Sequence, residues 1–175
     1  WSDSTVLTYM HADTLWNEAV PYKTYTTRSR DSIMVDSVMV AQLPDTIWKD
    51  TSYQQIRAFK HVRIYRDDIQ AVCDSARYHG RDSLLTLFGL PVCWNQDNQI
   101  SADQIDIYIK NGTVDYMHGV GNAFACKREG FNEFNQMTGK EMLAYVRNED
   151  IYLIDVRGNA ETVFYPREDD GSYLG

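Results

Sequence analysis

A chain of 175 residues has the size of one domain and can bury roughly 70% of the surface it exposes when unfolded. Apolar residues at 43% and charged residues at 24% exclude disorder by composition. Seventeen Lys+Arg against 25 Asp+Glu leave a net charge of −8. That balance argues against a nucleic acid partner, which needs a basic face, and no apolar run approaches the ~20 residues of a membrane-spanning helix.

The chain begins at Trp1 with no basic and apolar leader, which reads as a processed or truncated piece. Ala12-Asp13-Thr14-Leu15-Trp16 is a faint first copy of a repeat that becomes clear further on. Residues 17–55 lie outside that repeat. They are rich in Thr, Ser, Tyr, Asp and Arg, with Pro21 and Pro44 as punctuation. They carry a near-duplicate, Asp31-Ser32-Ile33-Met34-Val35 and Asp36-Ser37-Val38-Met39-Val40. A period of five flips the face of a strand at each copy, so the segment reads as an inserted excursion: one bulged strand or an edge flap.

From residue 56 to residue 165 a unit of about thirty residues recurs. The first copy runs through Val62-Arg63-Ile64-Tyr65, Ala71-Val72-Cys73-Asp74, Tyr78 and Leu85-Thr86-Leu87-Phe88-Gly89. The second runs through Val92-Cys93-Trp94, Ser101-Ala102-Asp103, Tyr108 and Val114-Asp115-Tyr116. The third runs through Ala123-Phe124-Ala125-Cys126, Met137-Thr138-Gly139, Tyr145 and Leu153-Ile154-Asp155-Val156. Val62 and Ile64, then Ile105, Ile107 and Ile109, then Val114 and Tyr116, alternate with polar neighbours, the pattern of strands with one dry face. Asn111-Gly112 between two of these runs predicts a type I′ hairpin turn; Asn111-Gly112-Thr113 is also formally a glycosylation triplet. Ile69, Val72, Cys73 and Ala76, and Phe134, Met137 and Met142, fall at helical spacing, the latter beside a Thr138-x-x-Glu141 capping pattern. The repeat register assigns both stretches to strands. The tail, 166–175, reads as a linker.

Little in the pattern carries covalent chemistry. Cys73, Cys93 and Cys126 are too widely spaced for a zinc or dithiol motif. His11, His61, His79 and His118 form no ligand pair. Gly119-x-Gly121 joins two strands and lacks the helix that would cradle a phosphate. Asp13, Asp74 and Asp103 recur at equivalent positions. A carbohydrate-active β-solenoid using Asp74 and Asp103 is conceivable, but aspartates beside turns, bonding local backbone N–H groups, account for them more simply. The expectation is a protein that is not an enzyme and uses no metal or cofactor. The apolar strand faces carry more. On the residues alone, an ordinary filled core is the simpler reading, and a hollow that holds an apolar ligand is the alternative.

Ala102-Asp103-Gln104-Ile105-Asp106-Ile107-Tyr108, Phe134-Asn135-Gln136-Met137-Thr138-Gly139-Lys140-Glu141-Met142 and Val156-Arg157-Gly158-Asn159-Ala160-Glu161-Thr162-Val163-Phe164-Tyr165 resemble, in this order, the OstA-like (organic solvent tolerance) family. That is the family of the periplasmic lipopolysaccharide carrier LptA and of the N-terminal domain of LptD. The flavour is that of the longer OstA-like proteins of Bacteroidetes-type bacteria. The resemblance covers about residues 56–165, with a fragment at 11–16, and departs from the short pattern at 17–55. It implies an all-β fold of stacked antiparallel strands forming a twisted half-open jelly roll, a β-taco, located in the periplasm in association with the outer or inner membrane. It implies lipopolysaccharide as ligand, with lipid A acyl chains in an apolar groove. The implied protein partners are other Lpt-type OstA domains, joined by edge-strand pairing, including self-association head to tail. By alternation the groove is expected from Val62, Ile64, Leu85, Leu87, Ile105, Ile107, Val114, Tyr116 and Leu153. A structural or protein-interaction β-scaffold with a filled core is the competing expectation. The acidic charge sits uneasily with an anionic lipid unless the head group stays in solvent.

Overall fold

The computed structural model describes residues 7–30, 33–35, 38–40 and 42–166, so most of the expected tail lies outside the described residues. Among the described residues every regular element is a strand: β1 (Tyr9–His11), β2 (Thr14–Arg28), β3 (Ile33–Val35), β4 (Val38–Val40), β5 (Asp45–Tyr65), β6 (Gln70–His79), β7 (Leu84–Phe88), β8 (Val92–Asn95), β9 (Asn98–Ser101), β10 (Gln104–Lys110), β11 (Thr113–Arg128), β12 (Phe134–Arg147), β13 (Asp150–Arg157) and β14 (Glu161–Val163). The two stretches with helical spacing are β6 and β12. There the helical count arises by coincidence: Val72 is exposed while its neighbours Ala71 and Cys73 face the core, as in a strand.

All pairings are antiparallel, and β6, β7, β10, β11, β9 and β8 close a six-strand ring with further strands outside it. The ring has two flattened leaves. One leaf has the order β2-β5-β6-β7-β10-β11-β12-β13. The other has the order β1-β5-β6-β8-β9-β11-β12-β14. Strands β5, β6, β11 and β12 belong to both, because each bends and continues from one leaf into the other. The bends fall in line and form a spine.

The spine explains the thirty-residue repeat. The chain crosses it at Ala12-Asp13, Lys60-His61, Asp74, Gly89-Leu90, Ala102-Asp103, Gly121-Asn122, Gly139-Lys140 and Gly158-Asn159. Every second crossing is a pair of left-handed residues: φ is +62° and +54° at Lys60-His61, +75° and +54° at Gly89-Leu90, +76° and +47° at Gly121-Asn122, and +74° and +53° at Gly158-Asn159. Three of the four kinks bond to the crossing that precedes them in their unit. The Asp13 amide donates to Lys60 O (3.0 Å), the Asp103 amide to Gly121 O (2.8 Å) and the Lys140 amide to Gly158 O (2.8 Å). One repeat unit is therefore one plain crossing and one kinked crossing, and the faint copy at residues 12–16 opens the first unit.

The described residues of 17–55 are not one strand. They extend the first unit's hairpin into a two-stranded arm, in which Thr14–Arg28 pair residue by residue with Asp45–Phe59. Strand β6 covers β5 only from Gln55 onward. The arm's portion at residues 45–50 thus stands about 20 Å clear, at 3.3–3.4 Å per residue. Within the duplicated segment β3 pairs antiparallel with β4.

Between the leaves lies one apolar core. Ala58, Leu87, Ile105, Ile107, Met117, Ala123, Met142 and Ala144 are all at most 1% exposed. Small side chains at Ala58, Ala76, Ala102, Ala123, Ala125 and Ala144 let the leaves approach closely.

Candidate functional site

Seven of the nine residues expected to line a groove point into this interior: Val62 (1% exposed), Ile64 (3%), Leu85 (4%), Leu87 (0%), Ile105 (0%), Ile107 (1%) and Val114 (5%). All seven belong to one cluster of buried apolar side chains. The other two are placed differently by bulges. Tyr108 pairs with Tyr116 while Ile109 pairs with Val114, so Asp115 is an extra residue and Tyr116 turns to the outer face. There it joins a ladder of Tyr108, Tyr116, Tyr145 and Tyr152, with ring centroids 4.3, 5.9 and 6.5 Å apart in succession. Likewise Tyr145 pairs with Leu153 and Val146 with Ile151, so Tyr152 is extra. Leu153 lies opposite Tyr145, 49% exposed, and is one of the residues that line the cleft described next.

The interior opens toward the C-terminal edge of the stack. A cleft of about 200 Å³ lies between β13 of one leaf and β9, β11 and β12 of the other. Ile100, Ala125, Met137, Ile151, Ile154 and Phe164 supply its apolar walls, and Asn98, Lys127 and Asn135 stand with them as its polar members. The opening has a simple origin. The leaves diverge here, and among the described residues β13 and β14 are edge strands with no further neighbour to fill the space. Sequence reasoning missed Ile100, Met137, Ile151 and Ile154. They share the alternation of the other inward residues, and only their place at the end of the stack distinguishes them.

Beside the cleft, the margins of the two leaves opposite the spine are fastened by polar groups. Arg66, 5% exposed, donates from Nε to Asp68 Oδ1 (2.8 Å) and from Nη2 to Asp68 Oδ2 (3.0 Å). Its Nη2 also donates to Gly112 O (2.7 Å), and the Val114 amide donates to Asp68 Oδ2 (3.1 Å). Asn95 Nδ2 donates to Asp68 O (2.7 Å) and to Glu149 O (3.0 Å), and Gln96 Nε2 donates to Glu149 O (3.2 Å). The turn at Asn111-Gly112 that receives one of these bonds has φ of +52° and +83°, as a type I′ turn requires.

The aspartates singled out by the repeat are spine residues. Asp103 accepts from Asn122 Nδ2 at 3.1–3.2 Å, Asp13 lies 3.1 Å from His61 Nδ1, and Asp74 packs against Gly89. Asp74 and Asp103 stand on crossings separated by one intervening strand, about 9.6 Å between backbones at the usual sheet spacing. The thiols are free; burial pushes Cys73 up to about 11 and Cys93 well above the ordinary thiol range, which disfavours the thiolate in both. No group of three or more His, Cys, Asp or Glu that could hold a metal ion occurs among the described residues. Neither a scan of protein-family models nor a search of curated proteins finds a match to this chain.

Proposed function

We propose that this chain is a non-enzymatic module of an OstA-like bridge, a β-taco or half-open jelly roll that shields lipid A acyl chains of lipopolysaccharide as they pass through the periplasm. The observation that carries the reading is the apolar cleft between the leaves at the open end of the stack. It is where a hydrocarbon chain can be taken from water without displacing packed side chains. Moving one acyl chain of about fourteen carbons out of water is worth on the order of 10 kcal/mol, so such a cleft needs no charged group to retain its ligand. Lys127, which lines the cleft and lies 3.9 Å from Glu129 Oε1, is a cation that an anionic head group held in solvent would meet there.

Edge strands at both ends supply the means of joining neighbours. The stack starts on a plain crossing at Asp13 and ends on a kinked crossing at Gly158-Asn159. A second copy, or another domain built alike, continues the alternation if its β1 and β2 pair antiparallel with β14 and β13. Aligning the spines sets Arg157 opposite Thr14, Val156 opposite Leu15 and Glu161 opposite His11 of the next copy. Val156 and Leu15 then extend the inner face.

The experiment is site-specific photo-crosslinking with p-benzoylphenylalanine in a lipopolysaccharide-producing bacterium. An adduct reactive with antibody to lipopolysaccharide is expected at Ile154 and Met137, and none at outward-facing Tyr108. No adduct at either cleft position sinks the lipid reading. It would leave the second reading, a filled β-scaffold for protein contacts, which the packed interior from Val62 to Ile107 favours.

A further inference from the structure

The leaves are joined in different ways along their two margins. At the spine four strands run from one leaf into the other without a break. At the opposite margin, among the described residues, no backbone ladder joins the rims. The crossing bonds there are those of Arg66 to Gly112, Val114 to Asp68, and Asn95 and Gln96 to Glu149. Each involves a side chain reaching from one leaf to the backbone of the other or, for Val114, a backbone amide reaching a carboxylate. The groups are polar, yet they sit on apolar neighbours: Ile69 is 3% and Val114 5% exposed.

We propose that this margin is a latch, and that its release lets a hydrocarbon chain held in the end cleft run inward between the leaves. The proposal rests on the reading of the cleft as a lipid site and names how access beyond it is controlled. Three observations support it. A buried ion pair adds little net stability, because desolvating both charges offsets most of their attraction. Arg66 and Asp68, with side chains 6% and 3% exposed, are such a pair. They lie two residues apart on one rim, however, so parting the rims leaves the pair intact and, of its bonds, gives up only those to Gly112 O and from the Val114 amide. Asn95 Oδ1 is buried in the closed state without a partner in the protein, so opening relieves one unmet hydrogen bond. A recess of about 320 Å³, open to solvent between the turns at residues 110–115 and 146–149, reaches Asp68 and Val114 of the fastening. The cleft begins where the latch ends, since Asn98, which lines the cleft, bonds to Asn95 O at 3.3 Å. A hinge of continuous strands facing a clasp of side chains is the arrangement of a clamshell.

The test fastens the rims covalently. Gln96→Cys and Glu149→Cys, introduced together with Cys126→Ser, place a disulfide across the latch. Uptake of dansyl-undecanoic acid is then followed by fluorescence in the oxidised and the reduced protein. Oxidation is expected to slow uptake at least tenfold and reduction to restore it; equal uptake in both states overturns the latch. If no form takes up the probe, the lipid reading of the cleft fails on its own, and hydrogen exchange still decides the latch. The Val114 amide is expected to exchange well before those of Ile105 and Ile107, and to be slowed by the disulfide. Exchange of all three in step in the unlinked protein overturns the proposal.

Discussion

At Gly121 the backbone takes φ of +76°, and a side chain built there would run into the Asp103 carboxylate. Both facts follow from the need to turn β11 from one leaf into the other while the neighbouring crossing stays bonded to it. Gly121→Ala is therefore expected to cost about 1–3 kcal/mol, through the strained φ and the displaced carboxylate together. Urea denaturation measures it, and Gly121→Ala with Asp103→Ala should recover part of the loss. An unchanged midpoint would mean that the kink adapts freely. The same scale shows where period-two reading stops. Val62, Ile64, Ile105 and Ile107 face inward as their alternation indicates, because nothing interrupts the pleat around them. Tyr116 and Leu153 do not, because Asp115 and Tyr152 are extra residues in the ladder. An extra residue has no compositional signature; it is visible only once the partner strand is known. Arg66 and Asp68 were equally silent in the sequence, since what gives them a role is a turn lying 46 positions further along.

Among the elements, the arm is set apart by what it does not touch. The core begins at Ala58, and Tyr25, Trp48 and Ile47 on the arm are 60%, 63% and 48% exposed. Its contacts with the body are lateral ones near its base: Arg81 over the Tyr22 ring at 5.1 Å and Tyr53 against His79 at 4.5 Å. Val20 and Tyr53 are direct partners in the ladder, so residues 21–52 can be replaced by Asn-Gly as a two-residue turn. The shortened chain is expected to unfold cooperatively with a Tm within about 5 °C of the parent. Loss of a cooperative calorimetric transition would make the arm part of the body. That the repeat passes over residues 17–55 was legible in the sequence; that they form a long hairpin was not. The five-residue duplication contradicts a single strand and names no alternative, whereas the pairing partners lie up to 45 residues apart (Thr14 with Phe59).

For the whole molecule, the repeat spelled out the architecture more fully than any one strand did, because each unit carries its own hairpin and its own kink. What the repeat could not convey is that the leaves would meet tightly over most of their length and part only at the last unit. That depends on seven buried alanines, Ala71 with the six named above, and on the absence of a further strand beyond β13 and β14 among the described residues. The proposed junction between copies is decided by a pair of cysteines. Thr14→Cys with Arg157→Cys should give a ladder of disulfide-linked species on a non-reducing gel, collapsing to monomer on reduction, while Thr14→Cys alone should give no species beyond a dimer. A doubly substituted protein that stays monomeric under oxidation counts against end-to-end pairing.

The regular exchange of straight and kinked crossings along the spine also sets a rule of parity. With an even number of crossings, the first and last traverse the fold in opposite senses, and a translated neighbour meets the end antiparallel. Adding or deleting one crossing would leave both ends running the same way, with a kink facing a kink or a straight pass facing a straight one. Growth of such a molecule by duplication is thus confined to whole hairpins, and its length can change only in steps of two.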